Sequence, residues 1–117
     1  MTNVDTHILV AALAGDLSRR ELKVLSDDRW GISAIVLWEL AMLIRRGRIE
    51  LEAEYVEAML PAVQVWPIDF QVALQSTQLD FRSDPADELI AATSIVHGVP
   101  LLTRDRTILR SKLLLFA

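Results

Sequence analysis

Four acidic residues stand where a carboxylate could take part in chemistry. They are Asp5, Glu39, Asp87 and Asp105. Glu39 is the least ordinary, because it interrupts the apolar run 35–44 and an ionised carboxylate is expensive to bury without a partner. Gathered carboxylates repel one another, and divalent cations relieve that repulsion while gaining oxygen ligands. The four acids therefore predict a metal site for phosphodiester hydrolysis, with one ion or two that lie about 3.5–4 Å apart.

The composition limits which metal such a site would hold. The chain has no Cys and two His, which excludes disulfide frameworks, thiolate zinc sites and Cys nucleophiles. Ligation by oxygen alone favours Mg²⁺ or Mn²⁺. The net charge of −4 argues against a protein that holds nucleic acid by bulk electrostatics. It does not argue against a nuclease whose acids lie in one cleft together with cations.

Asp5 and Asp105 each follow a predicted strand. The first strand covers Thr2 to Val4, and the later one covers Val99 to Thr103. In an open parallel sheet, ligands bind in the crevice outside the carboxyl ends of the strands. Both acids are therefore expected at the edge of the sheet where a site forms, although a plain turn or cap acid remains the alternative for each.

Asp87 lies in the first turn of a predicted helix. Asp84 is the expected N-cap, with a carboxylate that accepts from first-turn N–H groups, Pro85 fits the first helical position, and Gly98 ends the helix. An acid at the third helical position also stabilises a helix start by about 0.3–1 kcal/mol. Two interpretations of Asp87 therefore stay open, a metal ligand and an acid that only stabilises the helix start.

The remaining elements alternate between strand and helix. Further strands are predicted at Trp30 to Ser33, Val63 to Trp66 and Leu113 to Phe116. Helices are predicted from a turn or helix start at Thr6 to near Gly15, after a Ser18/Glu21 capping box, and at Ala34 to Arg46, Glu52 to Leu60 and Ile68 to Leu79. This order predicts a three-layer α/β/α sandwich with a mostly parallel central sheet in one domain over residues 1–117. No apolar run reaches the roughly 18 residues of a membrane span, and we expect a cytoplasmic protein.

Four segments in order resemble a known family, the PIN domain, and within it the VapC-type toxins of toxin–antitoxin pairs. The segments are Val4-Asp5-Thr6-His7-Ile8-Leu9, Ile32-Ser33-Ala34-Ile35-Val36-Leu37-Trp38-Glu39-Leu40, Asp84-Pro85-Ala86-Asp87 with Leu89-Ile90-Ala91-Ala92-Thr93, and Val99-Pro100-Leu101-Leu102-Thr103-Arg104-Asp105. Each motif is weak alone, and the four in this order and spacing are specific together.

The resemblance implies a function and a set of site residues. The family's metal-binding acids fall on Asp5, Glu39, Asp87 and Asp105. It further implies an endoribonuclease that depends on Mg²⁺ or Mn²⁺ and acts as the toxin of a type II pair on an RNA such as tRNA or rRNA. The implied partners are a second copy of the chain and a VapB-type antitoxin that inserts a segment near the site. Because water would be the nucleophile, the expected product ends are 5′-phosphate and 3′-hydroxyl.

One position departs from the family pattern. Many relatives carry Arg directly after the third acid, where this chain has Glu88. The change removes a potential phosphate or antitoxin contact and adds negative charge beside the site. Arg104 and Arg106, which flank Asp105, are candidates to compensate.

Several neighbouring residues have two interpretations. The hydroxyls of Thr6, Ser33 and Thr103 either assist the site or cap helices, and capping is favoured for Ser33. His7 is interpreted as structural rather than as a general base. The helix-end cations Arg45, Arg46 and Arg48 either follow RNA phosphates or only oppose the helix dipole. We expect Trp30, Trp38 and Trp66 in the core or a dimer interface.

Two other functional classes stay open. The first is a PIN-like dimerising or binding module that has kept the fold without useful catalysis. The second is a phosphoryl-transfer domain of receiver or phosphatase type, which also places Asp after a first strand. The chain lacks the paired acids and the late-strand Lys of that second class, and the full set of four acids argues against the first.

Overall fold

Four short parallel strands form the centre of the protein. In the computed structural model, which describes residues 1–117, the strands are β1 (Thr2–Val4), β2 (Trp30–Ser33), β3 (Gln64–Trp66) and β4 (Leu101–Leu102). Their order in the sheet is β3-β2-β1-β4, and every pairing is parallel. The prediction of an α/β fold around a parallel sheet is confirmed.

Seven α-helices connect and cover the strands. They are α1 (Thr6–Ala14), α2 (Arg19–Asp27), α3 (Ala34–Arg45), α4 (Ala53–Met59), α5 (Phe70–Ser76), α6 (Pro85–His97) and α7 (Arg106–Leu109), with a 3-10 turn at Leu60–Ala62. The core lies between sheet and helices and includes Val4, Ile8, Ile32, Val36, Ile90 and Leu101. None of these helices combines the length and the hydropathy that a bilayer crossing requires.

The position of β1 between β2 and β4 fixes where the strand-end acids emerge. Asn3 pairs with Gly31 on one side and with Leu101 on the other. Since the strands are parallel, Asp5 after β1 and Asp105 after β4 leave the same edge of the sheet. The N–H of Asp5 also donates to the carbonyl of Leu102 at 3.1 Å, which ties the two strand ends together.

Asn3 holds α6 on the sheet from a fully buried position. Its Nδ2 donates to the carbonyl oxygen of Ile90 at 3.0 Å and to Oγ of Ser94 at 2.9 Å. The stretch 90–94 of α6 is buried against the sheet, as the apolar pattern predicts. This packing sets the position of the first turn of α6, and with it Asp87.

An ion pair between exposed Arg104 and buried Glu21 joins the segment after β4 to α2. Ser18 and Glu21 form the predicted capping box, and Arg104 donates to both carboxylate oxygens of Glu21, at 2.6 and 2.7 Å. These charge-assisted hydrogen bonds lower the pKa of Glu21 to about 2. Arg104 is therefore engaged by Glu21, and its compensation for Glu88 stays a prediction. Arg106 is exposed on α7.

The predicted C-terminal strand is reduced to a single bridge between Phe116 and Leu101. The backbone before it is held elsewhere, because the N–H of Lys112 donates to Asp80 Oδ2 at 2.8 Å and the hydroxyl of Ser111 donates to Oδ1 at 2.6 Å. Those bonds hold the backbone just before the predicted strand, and a bend at residues 112–113 follows, so only Phe116 of the predicted strand pairs with the sheet.

The predictions for α5 and for the cap of α6 also differ from the structure. The helix expected over Ile68 to Leu79 covers only α5, with Asp69 as the predicted cap that accepts from Val72 N–H at 3.0 Å. Asp84 occupies the N-cap position of α6, but its side chain makes no capping hydrogen bond. Pro85 brings no N–H to the first turn, and the N–H of Glu88 donates to the backbone carbonyl of Asp84 at 3.1 Å.

Candidate active site

Asp5 lies at the centre of the acidic edge. It is 1% exposed and forms the N-cap of α1, where Oδ1 accepts from the N–H of Thr6 at 2.7 Å. Oδ2 accepts from the hydroxyl of Thr103 at 2.6 Å. Donors from two elements therefore fix both oxygens of a carboxylate that has almost no contact with solvent.

The segment after β4 carries Asp105 and is linked to Asp5 through one hydroxyl. Oγ1 of Thr103, which donates to Asp5, accepts from the N–H of Asp105 at 3.0 Å. Asp105 caps α7, because its Oδ1 accepts from the N–H groups of Thr107 at 2.8 Å and Ile108 at 3.0 Å. The capping role left open for Asp105 is thus present, and it uses one oxygen of the two.

Glu39 projects from α3 toward Asp5 and is half-buried. The hydroxyl of Thr6 donates to its Oε1. Burial raises the pKa of Glu39, and the negative charges of Asp87 and Asp5 raise it further, although the Thr6 hydrogen bond acts in the opposite direction. Thr6 therefore contacts two of the four acids, through its N–H to Asp5 and through its hydroxyl to Glu39.

Asp87 completes the group from the first turn of α6. The hydroxyl of Ser83 donates to its Oδ2 at 2.8 Å. Burial raises the pKa of Asp87, and the charges of Asp5, Asp105 and Asp84 add to the increase. Asp87 thus interacts electrostatically with Asp5, Asp105 and Glu39. The structure therefore brings the four predicted acids to one edge of the sheet.

The chemistry of this group suits a hard divalent cation. Four carboxylates and the hydroxyls beside them offer oxygen ligands only, and a cation would relieve the repulsion that adds to the effect of burial on the pKa values of Glu39 and Asp87. As the side chains stand, no group of three or more His, Asp and Glu residues is placed to hold a metal ion. The carboxylates instead accept hydrogen bonds from N–H and hydroxyl groups of the protein. The set of oxygen ligands therefore suits a hard cation, but the side-chain conformations do not enclose one.

The neighbouring polar residues divide into two groups. Oγ of Ser33 accepts from Ile35 N–H at 3.3 Å, which is the capping role favoured for it. Thr6 and Thr103 orient site carboxylates instead. Sequence analysis missed Ser83, although its spacing of four residues before Asp87 at a helix start was a usable signal. His7 is exposed, and its charge lowers the pKa of Glu39 slightly against the other effects.

Neutralising Glu39 is expected to stabilise the metal-free protein. A folded-state pKa above the ordinary value means that the ionised carboxylate opposes folding, so this cost develops as pH rises through the ordinary range and persists above the raised pKa. Gln keeps an oxygen that accepts from the Thr6 hydroxyl. We therefore expect Glu39→Gln to raise Tm by a few degrees at pH 7.5 in EDTA, with the difference shrinking as pH falls toward 4.5.

The matched control is Glu57→Gln, at an exposed position on α4. It should leave Tm unchanged under the same conditions. Thermal unfolding followed by circular dichroism between pH 4 and 8 measures both variants. A Glu39→Gln protein that is less stable than the parent at pH 7.5 would show that the carboxylate is stabilising in its ionised form.

Comparison with known proteins gives both a family and a relative. A family model described as PIN domain matches residues 3–112. Ribonuclease VapC22 of Mycobacterium tuberculosis (strain ATCC 25618 / H37Rv) is 37% identical over 84 residues, which are 68% of this chain and 65% of that protein. The matched part is thus a little under two thirds of the relative's length.

Solved structures of toxin–antitoxin complexes share the fold. VapBC2 from Rickettsia felis, bound to a DNA fragment from its promoter, has a TM-score of 0.76 at 19% identity and covers 99% of this chain and 96% of that chain. DNA-bound VapBC from Salmonella typhimurium has a TM-score of 0.74 at 23% identity, with the same coverage of 99% and 96%. At these identities the likeness concerns the fold.

Proposed function

Because the chain belongs to the PIN domain family, we propose that it is a metal-dependent endoribonuclease and the toxin of a type II toxin–antitoxin pair. The observation that carries this proposal is the convergence of four carboxylates from four segments of the chain on one edge of the sheet. The name of the relative, a ribonuclease of the VapC group, points in the same direction.

Asp5, Glu39, Asp87 and Asp105 are the residues that would hold Mg²⁺ or Mn²⁺. A bound divalent ion would neutralise the acids, bind the phosphodiester and lower the pKa of water. Glu39 and Asp87 each have one carboxylate oxygen engaged by a hydroxyl, of Thr6 and Ser83 respectively, and their other oxygens accept no hydrogen bond. Asp5 has both oxygens engaged, by Thr6 and Thr103, so it would bind an ion through the lone pairs that these donors leave unused.

The chain's own residues then position the reaction. Asp5 is fixed at the end of β1, and Thr103 keeps Asp105 next to it. Attack by water forms a new P–O bond and breaks the bond from phosphorus to the 3′ oxygen, which leaves with a proton as a hydroxyl. The products are a 5′-phosphate and a 3′-hydroxyl end.

Purified protein should cleave single-stranded RNA when Mg²⁺ or Mn²⁺ is present and stop when EDTA is added. Analysis of the product ends should find 5′-phosphate and 3′-hydroxyl. Undiminished cleavage in EDTA, or ends that carry a 2′,3′-cyclic phosphate, would contradict the proposal. The cyclic product would mean that the 2′-hydroxyl, not water, is the nucleophile.

A VapB-type antitoxin and a second copy of the chain are the proposed protein partners, in the cytoplasm. Support comes from the printed descriptions of the structural neighbours, which are complexes of toxin with antitoxin. Exposed apolar side chains offer surface for such contacts, and Phe70 is the most exposed of the large ones, at 79%. Light scattering of the purified chain tests the dimer.

A catalytically weak binding module is the second candidate. Glu88 favours it, because this half-buried acid adds negative charge next to Asp87 and weakens the attraction for RNA. Growth arrest on expression separates the two candidates. Arrest that disappears in Glu39→Gln supports the nuclease, and arrest that persists in that variant supports the binding module.

A further inference from the structure

A groove leads from the acidic edge to the end of α3. It has a cavity volume of about 140 Å³ and is lined by Thr6, His7, Trp38, Glu39 and Arg46, together with two apolar side chains of α3. We call it the Arg46 groove. It starts at Glu39, one of the four acids, and ends at a cation, so a chain of alternating sugar and phosphate could pass along it from the acids.

Arg46 is a cation without an ion-pair partner near Glu39. Arg104 is paired with Glu21, whereas Arg45, Arg46 and Arg48 form no ion pair or side-chain hydrogen bond. Of these three, only Arg46 lines the groove that includes Glu39. In a chain with a net charge of −4, an unpaired guanidinium beside an acidic site is a specific means of holding an anion there.

Trp38 offers the groove an exposed aromatic face. Trp38 is 57% exposed in the single chain, so it does not lie in the core, and its alternative place in a dimer interface stays a prediction. Trp66, by contrast, is 7% exposed and stacks on His97 with ring centroids 5.6 Å apart. Trp38 on α3 and Arg46, the C-cap residue that follows α3, both line the groove, with Met42 midway between them in sequence.

We propose that the Arg46 groove binds the single-stranded RNA segment next to the cleaved phosphodiester, with a base stacked on Trp38 and a phosphate held by Arg46. This inference rests on the proposed nuclease function and adds to it the direction in which the strand leaves the acids. Single-stranded nucleic acid is favoured over duplex because only unpaired bases are free to stack on an indole. Arg46 and Trp38 are substrate-positioning residues in this arrangement.

The test measures binding to a labelled single-stranded RNA by fluorescence anisotropy, in an Asp5→Asn background with Mg²⁺ so that the RNA stays intact. Arg46→Gln should weaken binding about 5- to 10-fold and lower the slope of log affinity against log salt by about 1. Arg45→Gln is the matched control, since its neighbouring exposed guanidinium does not line the groove. It should weaken binding less than about 2-fold.

The aromatic contact has its own pair of variants. Trp38→Leu should weaken binding about 10-fold, and Trp38→Tyr should restore most of the loss because it keeps a ring. The same variants should bind a perfect RNA duplex as weakly as the parent does.

Three results would overturn the inference. The first is equal weakening by Arg45→Gln and Arg46→Gln, which would mean bulk electrostatics. The second is a Trp38→Leu protein that binds RNA normally but has become monomeric, which would make the indole part of an interface between copies. The third is duplex binding as tight as that of single strands. If the Asp5→Asn protein itself degrades the RNA, the nuclease site fails instead, and the loss of full-length label reveals this separately from binding.

Discussion

Replacing Asp5 with Asn is expected to lower metal-dependent RNA cleavage at least about 100-fold while the protein stays folded. Asp5 is the acid that the other three surround, and the substitution removes its charge without changing its size. Asn keeps one oxygen that can accept from Thr6 N–H, and the Thr103 hydroxyl can turn to accept from the new amide. Initial rates on single-stranded RNA at saturating Mg²⁺ measure the effect.

The control for Asp5→Asn is Asp27→Asn. Asp27 is exposed at the end of α2 and pairs only with Lys23, one turn earlier on the same helix. Its removal should leave the cleavage rate within a factor of about 2 of the parent. An Asp5→Asn protein that cleaves as fast as the parent under these conditions would remove Asp5 from the site.

Gly31→Ala is expected to destabilise the protein by about 3 kcal/mol, at the upper end for overpacking. A Cβ at this position would lie 2.6 Å from the carbonyl oxygen of Gln64 and 3.0 Å from the ring of Trp66. Because that oxygen belongs to the backbone of β3, the clash can be relieved only by separating β2 from β3. The expected sign is opposite to the usual one, since Ala in place of Gly normally stabilises a position whose backbone accepts it.

Urea unfolding of Gly31→Ala gives the free energy, and Gly15→Ala is the comparison. Gly15 has a φ of 75° and no atom within 4 Å of an added Cβ, so only its backbone conformation opposes the change. That cost is about 1 kcal/mol. If Gly31→Ala unfolds at the same or a higher urea concentration than the parent, β2 and β3 are not as closely apposed as described.

Local patterns were sufficient for the elements and for where the acids lie. The Ser18/Glu21 box, the cap at Asp69 and the stop at Gly98 each depend on a few neighbouring residues, and the structure has all three. The position of Asp5 and Asp105 followed from a general property of parallel sheets. Whether the four acids bind metal stays a prediction.

Features that depend on distant partners could not be read from the chain. The pairing of Arg104 with Glu21 joins residues 83 positions apart, so nothing near Arg104 indicated that it was engaged. The backbone just before the predicted C-terminal strand is bound by Asp80, more than 30 residues upstream. Apolar character alone left both the core and a dimer interface open for Trp38, which is 57% exposed in the single chain. Periodicity does not tell which face of a helix lacks a covering neighbour.

The hydrogen bond from Thr103 to Asp5 spans 98 positions, and this separation determines when the site can form during protein synthesis. A ribosome adds Asp5 to the chain 98 residues before Thr103. Until β4 has been made and has paired with β1, Asp5 lacks its hydroxyl partner and Asp105 is absent. The four acids therefore cannot assemble at the edge of the sheet before all four segments have been synthesised.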